Sequence, residues 1–164
     1  MANIHFETAW KRNDPRHSAD ATGFWVENRM IDKEEAARRV ADLCSMAYAD
    51  ARLVGVSTVN FNAYAPLRSN FAFYRCAVAP AFRRQSLAIL LTRHTITTME
   101  AWCLEHMPYD IQGVATILQA HELDEKARTP MWAEYYGNLN LVGFTAKDDQ
   151  VRVAWFRHAL LPQT

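Results

Sequence analysis

Apolar and polar residues alternate over residues 4–10, and this two-residue period predicts a first strand that ends at Lys11-Arg12-Asn13-Asp14. Asp14-Pro15 has the form of a helix start, with Asp as the cap and Pro in the first turn, and predicts a helix from Arg16 to about Met30. Asp32 opens a second helix with Glu34 and Glu35 in its first turn, where the helix dipole favours acids. Ala36, Val40, Leu43, Cys44 and Ala47 form its apolar face at helical spacing. Residues 52–62 carry Val54, Val56, Thr58 and Val59 and read as a strand; residues 70–78 read as its hairpin partner across a turn containing Pro66. A long helix is predicted over residues 86–105, with Ala88, Leu91, Thr95, Met99, Trp102 and Cys103 as its buried stripe. Residues 111–118 are a short apolar run that suits a strand covered on both faces. A further helix over 126–136, closed by Gly137, leads to strands at 139–145 and 151–156 flanking the polar turn Lys147-Asp148-Asp149-Gln150. The order β-α-α-β-β-α-β-α-β-β predicts one α/β domain, a mixed sheet with helices on both faces.

Charge changes this picture more than composition does. The 18 basic and 18 acidic residues cancel, which argues against long nucleic acids and anionic membranes as partners. The cancellation is uneven, however. No acidic side chain occurs between Asp50 and Glu100, and that stretch holds Arg52, Arg68, Arg75, Arg83, Arg84 and Arg93. Cys44, Cys76 and Cys103 lack metal-type spacing and read as buried thiols of a reducing cytoplasm. The start Met-Ala-Asn-Ile-His-Phe-Glu has neither the basic start nor the apolar run of a signal peptide, so a cytoplasmic location is expected. No glycine lies between Gly55 and Gly113, which excludes a P-loop or a dinucleotide-binding fingerprint there. No metal is expected.

The chemistry concentrates in Val78-Ala79-Pro80-Ala81-Phe82-Arg83-Arg84-Gln85-Ser86-Leu87-Ala88. A strand ends, proline breaks the sheet, two arginines follow and a long helix begins on small residues. Free backbone N–H groups at a helix start and the positive end of its dipole favour an anion. This segment resembles the acetyl-CoA-binding motif of the GNAT N-acetyltransferases, V-x-P-x-x-[R/Q]-x-x-G-x-[G/A]. Val78, Pro80, Arg83 and Ala88 stand at the family spacing, and Ser86 replaces the usual glycine. Serine is expected there in helical dihedrals, as a helix cap that keeps the phosphate cradle. The order of elements along nearly the whole chain is similar to that family as well. The resemblance implies a mixed, mainly antiparallel sheet flanked by helices and splayed at the CoA-binding strand.

The resemblance also implies direct attack by an acceptor amine on the acetyl thioester of acetyl-CoA. The pantetheine arm would pair with the backbone of Cys76, Ala77 and Val78, and an N–H near Val78 would polarise the thioester carbonyl. Arg83, Arg84, Gln85, Ser86, Leu87 and Ala88 would hold the diphosphate. The family places its thiolate-protonating tyrosine on the helix after the central strand, which points to Tyr135 or Tyr136. Its usual glutamate on the motif strand is absent from residues 70–78, so Glu27, His121 and Glu122 are the candidate bases. Arg75, alternating with Tyr74, would suit an acceptor bearing a carboxylate or phosphate. Phe24, Trp25 and Trp132 could line an apolar acceptor pocket or form aromatic core, and His94 is expected to make a structural hydrogen bond. Three functions follow: an N-acetyltransferase acting on a small molecule or on a protein or peptide, a non-catalytic acyl-CoA sensor, or a structural interaction domain. An exposed strand edge or the terminal hairpin offers a surface for a homodimer.

Overall fold

The computed structural model describes residues 3–83, 86–118 and 126–162. Seven strands hydrogen-bond in the order β1-β2-β3-β4-β5-β7-β6: β1 Ile4–Thr8, β2 Leu43–Ala49, β3 Arg52–Tyr64, β4 Ser69–Val78, β5 Ile111–Leu118, β6 Asn140–Phe144 and β7 Gln150–Trp155. The pairs β1–β2, β2–β3, β5–β7 and β6–β7 are antiparallel, and β4–β5 is parallel. Three α-helices are described, α1 Pro15–Glu27, α2 Lys33–Arg39 and α3 Leu87–His106. The sheet is thus mixed, as the order of elements predicts, and mostly antiparallel, as the resemblance implies. None of the described helices is long and apolar enough to cross a membrane.

Both early helices start where their caps predict. The Asp14 carboxylate accepts the Arg16 N–H at 2.8 Å, with Pro15 in the first turn; that of Asp32 accepts the Glu35 N–H at 2.8 Å. Glu34 and Glu35 near one end of α2 pair with Arg38 and Arg39 near the other. The second helix is shorter than predicted. It ends at Arg39, a 3-10 turn covers Val40–Asp42, and Leu43, Cys44 and Ala47 lie on strand β2. All seven β2 residues are buried between β1 and β3, so no polar face marks a two-residue period and the spacing passes for helical.

The chain divides into two compact units. The first comprises residues up to Val59 together with Arg75–Thr98; the second comprises Asn60–Tyr74 and the residues from Met99 onward. The core of the first includes Phe24, Trp25, Met46, Val54, Val56, Leu87 and Leu91. A polar seam crosses it. The Ser57 hydroxyl accepts the Ser45 N–H at 3.1 Å and lies 2.7 Å from the Thr95 hydroxyl, while His94 Nδ1 lies 2.9 Å from the Ser45 hydroxyl. The His94 ring stacks on Phe6. This is the structural role expected of His94. On α3 the buried stripe is Leu87, Leu91, Thr95, Met99 and Cys103; Ala88 is exposed, because the stripe begins one residue earlier than predicted.

In the second unit Phe71, Ala115 and Val153 pack with Tyr64, Leu67, Phe73 and Val142. Gly113 on β5 lies so close to the Ala154 backbone that a Cβ would be driven into the Ala154 carbonyl. The helix predicted over 126–136 is not formed. Two 3-10 turns, Lys126–Arg128 and Glu134–Tyr136, stand in its place, and Gly137 at φ 82° ends the second. Pro130 interrupts any helix there, and the carbonyls of Ala127 and Thr129 accept from the buried Arg152 guanidinium.

Candidate functional site

The end of β4 is built by strand pairing on one side. Its parallel ladder to β5 runs through Asn70↔Ile111, Ala72↔Val114 and Phe73↔Ala115, and residues 75–78 extend beyond the last of these pairs. On the other side the Ala79 N–H donates to the Val54 carbonyl of β3 at 2.8 Å. Every described peptide bond is trans, so the Val78 carbonyl points the opposite way, away from β3. There Arg83 Nε donates to it at 3.3 Å. In an extended strand a residue's own N–H and C=O face the same side. The Val78 N–H is therefore also turned away from β3, on the edge where the resemblance calls for a polarising donor. Arg75 and Cys76 are both exposed, although neighbours on a strand point to opposite faces. Cys76 is thus not the buried thiol expected of it, whereas Cys44 and Cys103 are buried and burial raises the Cys103 thiol to about 12. Tyr74 is buried and Arg75 exposed, which resolves their alternation.

The turn that follows is tight. Pro80–Phe82 form a 3-10 turn closed by Phe82 N–H to the Ala79 carbonyl at 2.8 Å, and Arg83 is extended and exposed. Arg84 and Gln85 lie outside the described residues. Ser86 has φ 59°, in the left-handed region, and its carbonyl accepts the Leu90 N–H at 3.1 Å. The helical dihedrals expected of it are not adopted. The backbone instead takes the conformation that glycine enters without strain, at the position where the family has glycine. Leu87 locks the helix start into the core, Ala88 is small and exposed, and α3 has no acidic residue in its first turn. The first amides of a helix lack acceptors within it. With the Arg83 charge before them they form a donor set that fits a diphosphate.

The remaining predicted residues are carried by other elements. Glu27 is exposed on α1, at a pocket of about 280 Å³ in the first unit lined also by Asp20, Gly23, Phe24, Asn28 and Arg52. Asp20 there accepts the Tyr48 hydroxyl at 2.7 Å, and burial together with Asp20 raises the Tyr48 phenol above its ordinary value. Trp25 belongs to the core, leaving Phe24 as the aromatic of its pair that reaches the pocket. Tyr135 and Tyr136 are in the second unit, on the 3-10 turn rather than a helix. Their rings meet edge-on at 4.9 Å, and Tyr136 meets Trp132 edge-on at 6.2 Å. Trp132 packs over the Arg152 guanidinium at 4.3 Å, so it faces a buried cation. His121 and Glu122 lie outside the described residues. Sequence reasoning missed Arg152 because its neighbours Val151 and Val153 are apolar, and alternation places the arginine on an outer face. Both faces of β7 are in fact covered.

No family model matches the sequence, and no curated protein matches it. Solved structures do match the fold. A GNAT-family acetyltransferase from Streptococcus pneumoniae superposes with TM-score 0.60 at 10% identity, over 94% of this chain and 99% of its own. The ribosomal-protein-S18-alanine N-acetyltransferase from Escherichia coli gives 0.58 at 11% identity, over 99% and 98%. A mutant AtaT toxin, bound to the C-terminus of the antitoxin AtaR and acetyl-CoA, gives 0.50 at 12% identity, over 93% and 92%. At such identities the likeness is one of architecture, and the chain has the fold of the GNAT acetyltransferases.

Proposed function

We propose that this chain is a single-domain, acetyl-CoA-dependent N-acetyltransferase acting on a primary amine of a small molecule, protein or peptide. The observation that carries this reading is Ser86 at φ 59° before α3. The chain has lost the motif glycine yet retains the backbone turn that glycine serves, within the fold of known acetyltransferases. A toxin of the same fold has been solved with acetyl-CoA, which supports that acyl donor. Arg83, Arg84, Gln85 and the amides of Ser86, Leu87 and Ala88 bind the diphosphate, and the backbone of Cys76, Ala77 and Val78 aligns the pantetheine arm. The Val78 N–H draws charge from the thioester carbonyl, an interaction that gains strength as the oxygen becomes more negative. The amine nitrogen forms its C–N bond as the C–S bond breaks. Glu27, directly or through water, takes the proton the amine loses, and a phenol of Tyr135 or Tyr136 gives one to the departing sulfur.

Two measurements test the reading. Acetyl-CoA at 100 times its Kd should stabilise the protein by about 2.7 kcal/mol, and Arg83→Glu and Arg84→Glu should each weaken that effect. No thermal shift at millimolar acetyl-CoA would sink the proposal. Release of free CoA thiol is then followed across a panel of amines. Binding without release by any of them favours the second reading, a non-catalytic acyl-CoA sensor, for which the absence of an acid from residues 70–78 speaks.

A further inference from the structure

Arg152 on β7 is 0% exposed, and among the described residues its guanidinium bonds only neutral oxygens. Nε donates to the Gln150 side-chain oxygen at 2.9 Å. Nη1 donates to the carbonyls of Leu139 at 3.1 Å and Pro130 at 3.5 Å, and Nη2 to those of Ala127 at 2.6 Å and Thr129 at 2.7 Å. Five neutral acceptors thus fill all five N–H donors. A buried cation is a poor source of stability, since desolvation opposes it, and an apolar side chain of similar volume often serves as well. Its evident effect lies in the segment it holds. Between β5 and β6 the described chain forms only two 3-10 turns, and four of its carbonyls are tied to this one side chain. The same guanidinium stacks on Trp132 at 4.3 Å, Trp132 meets Tyr136, and Tyr136 meets Tyr135. Tyr135 ends this series 47% exposed. An irregular segment cannot hold two tyrosine rings by helical packing, and here a series of contacts runs to them from the buried cation.

We propose that Arg152 is a positioning residue for the Tyr135–Tyr136 pair and acts through Trp132. The inference rests on the acyltransferase reading, in which that pair protonates the departing sulfur. A functional site needs rigid support to within a fraction of an ångström, and misplacement by 1 Å can cost about a hundredfold in rate.

The test is steady-state kinetics on the full chain, with acetyl-CoA and whichever amine releases thiol. Arg152→Lys keeps the charge but has only three donors, and Trp132→Leu removes the relay ring while leaving the five hydrogen bonds of the guanidinium in place. Each should lower kcat about tenfold or more with KM for acetyl-CoA within about twofold, the split expected when proton delivery is lost and donor binding is not. Trp132→Phe keeps a ring in place and should recover most of kcat. In a Tyr135→Phe, Tyr136→Phe background, Trp132→Leu should cause no further loss, because residues acting as one unit are not additive. Should Arg152→Lys fail to fold, the Trp132 series carries the same test. Turnover by the wild type with kcat unchanged in Trp132→Leu, or with full additivity in the tyrosine background, overturns this inference alone. A wild type that releases thiol with no amine overturns it together with the acyltransferase reading.

Discussion

Ser86 is one of eight described non-glycine residues with positive φ, and it is the one within the segment proposed to hold the diphosphate. A left-handed L-residue costs roughly 1–2 kcal/mol, part of which glycine returns through its greater freedom in the unfolded chain. Ser86→Gly should therefore raise stability by about 0.5–1 kcal/mol in urea unfolding and leave acetyl-CoA binding at least as tight. Ser86→Val should lose more than Ser86→Gly gains, and no difference between the two would contradict the left-handed assignment. Two titratable groups make the first unit sensitive to acid. The Arg16 hydrogen bond, then that of the buried His17, hold the Glu7 carboxyl near 2, well below its ordinary 4.5. Folded pKa below unfolded pKa means that this contribution is complete above 4.5 and is lost as pH falls from 4.5 towards 2. Burial lowers the His94 imidazole below its ordinary 6.5, so neutral His94 stabilises fully above 6.5 and that contribution is lost as pH falls through the depressed value. Urea midpoints measured against pH should show two acid slopes, the upper one removed by His94→Gln and the lower one by Glu7→Gln.

Elements differ in how far their causes lie along the chain. The starts of α1 and α2 were legible because Asp14 and Asp32 cap helices two and three residues away. The hairpin of β3 and β4 was legible for the same reason, its turn being only a few residues long. β2 was not, since its pairing with β1 spans some forty positions, and its Leu-Cys-Ser-Met-Ala-Tyr-Ala run has no polar face to show a period. The segment over 126–136 failed in the other direction. Its composition suits a helix, but its carbonyls are bound by an arginine more than twenty residues away. Gly113 shows how tightly two distant elements can be set against each other. Gly113→Ala should push β5 off β7 and cost about 2–3 kcal/mol, as overpacking a closed backbone contact does. Retained stability would mean that the strands separate more easily than their register Gly113↔Trp155 and Val114↔Ala154 indicates.

For the whole molecule, the formal charge of zero conceals an acid-free third whose arginines are shared between the two units. Arg68 lies in the second unit, while Arg52, Arg75, Arg83 and Arg93 are in the first, and Arg52 borders the α1 pocket. Arg83 is the one among these whose side chain is bonded to the carbonyl at the end of β4. The sequence by itself determined the mixed α/β class, the capped helix starts and the strand–turn–helix that carries the candidate acyl-donor site. Each of these depends on contacts within a few residues, or on the order of elements. Tertiary structure alone decided that Leu43–Ala49 is a strand, that Cys76 is exposed, that Ser86 is left-handed and that Arg152 is buried among carbonyls. It also decided which way the Val78 N–H faces, because that follows from the Ala79 hydrogen bond to Val54 of a neighbouring strand. The physical reason is common to all of these. Burial, edge exposure and backbone strain are set by partners remote in the chain, which no local spacing of residue types records.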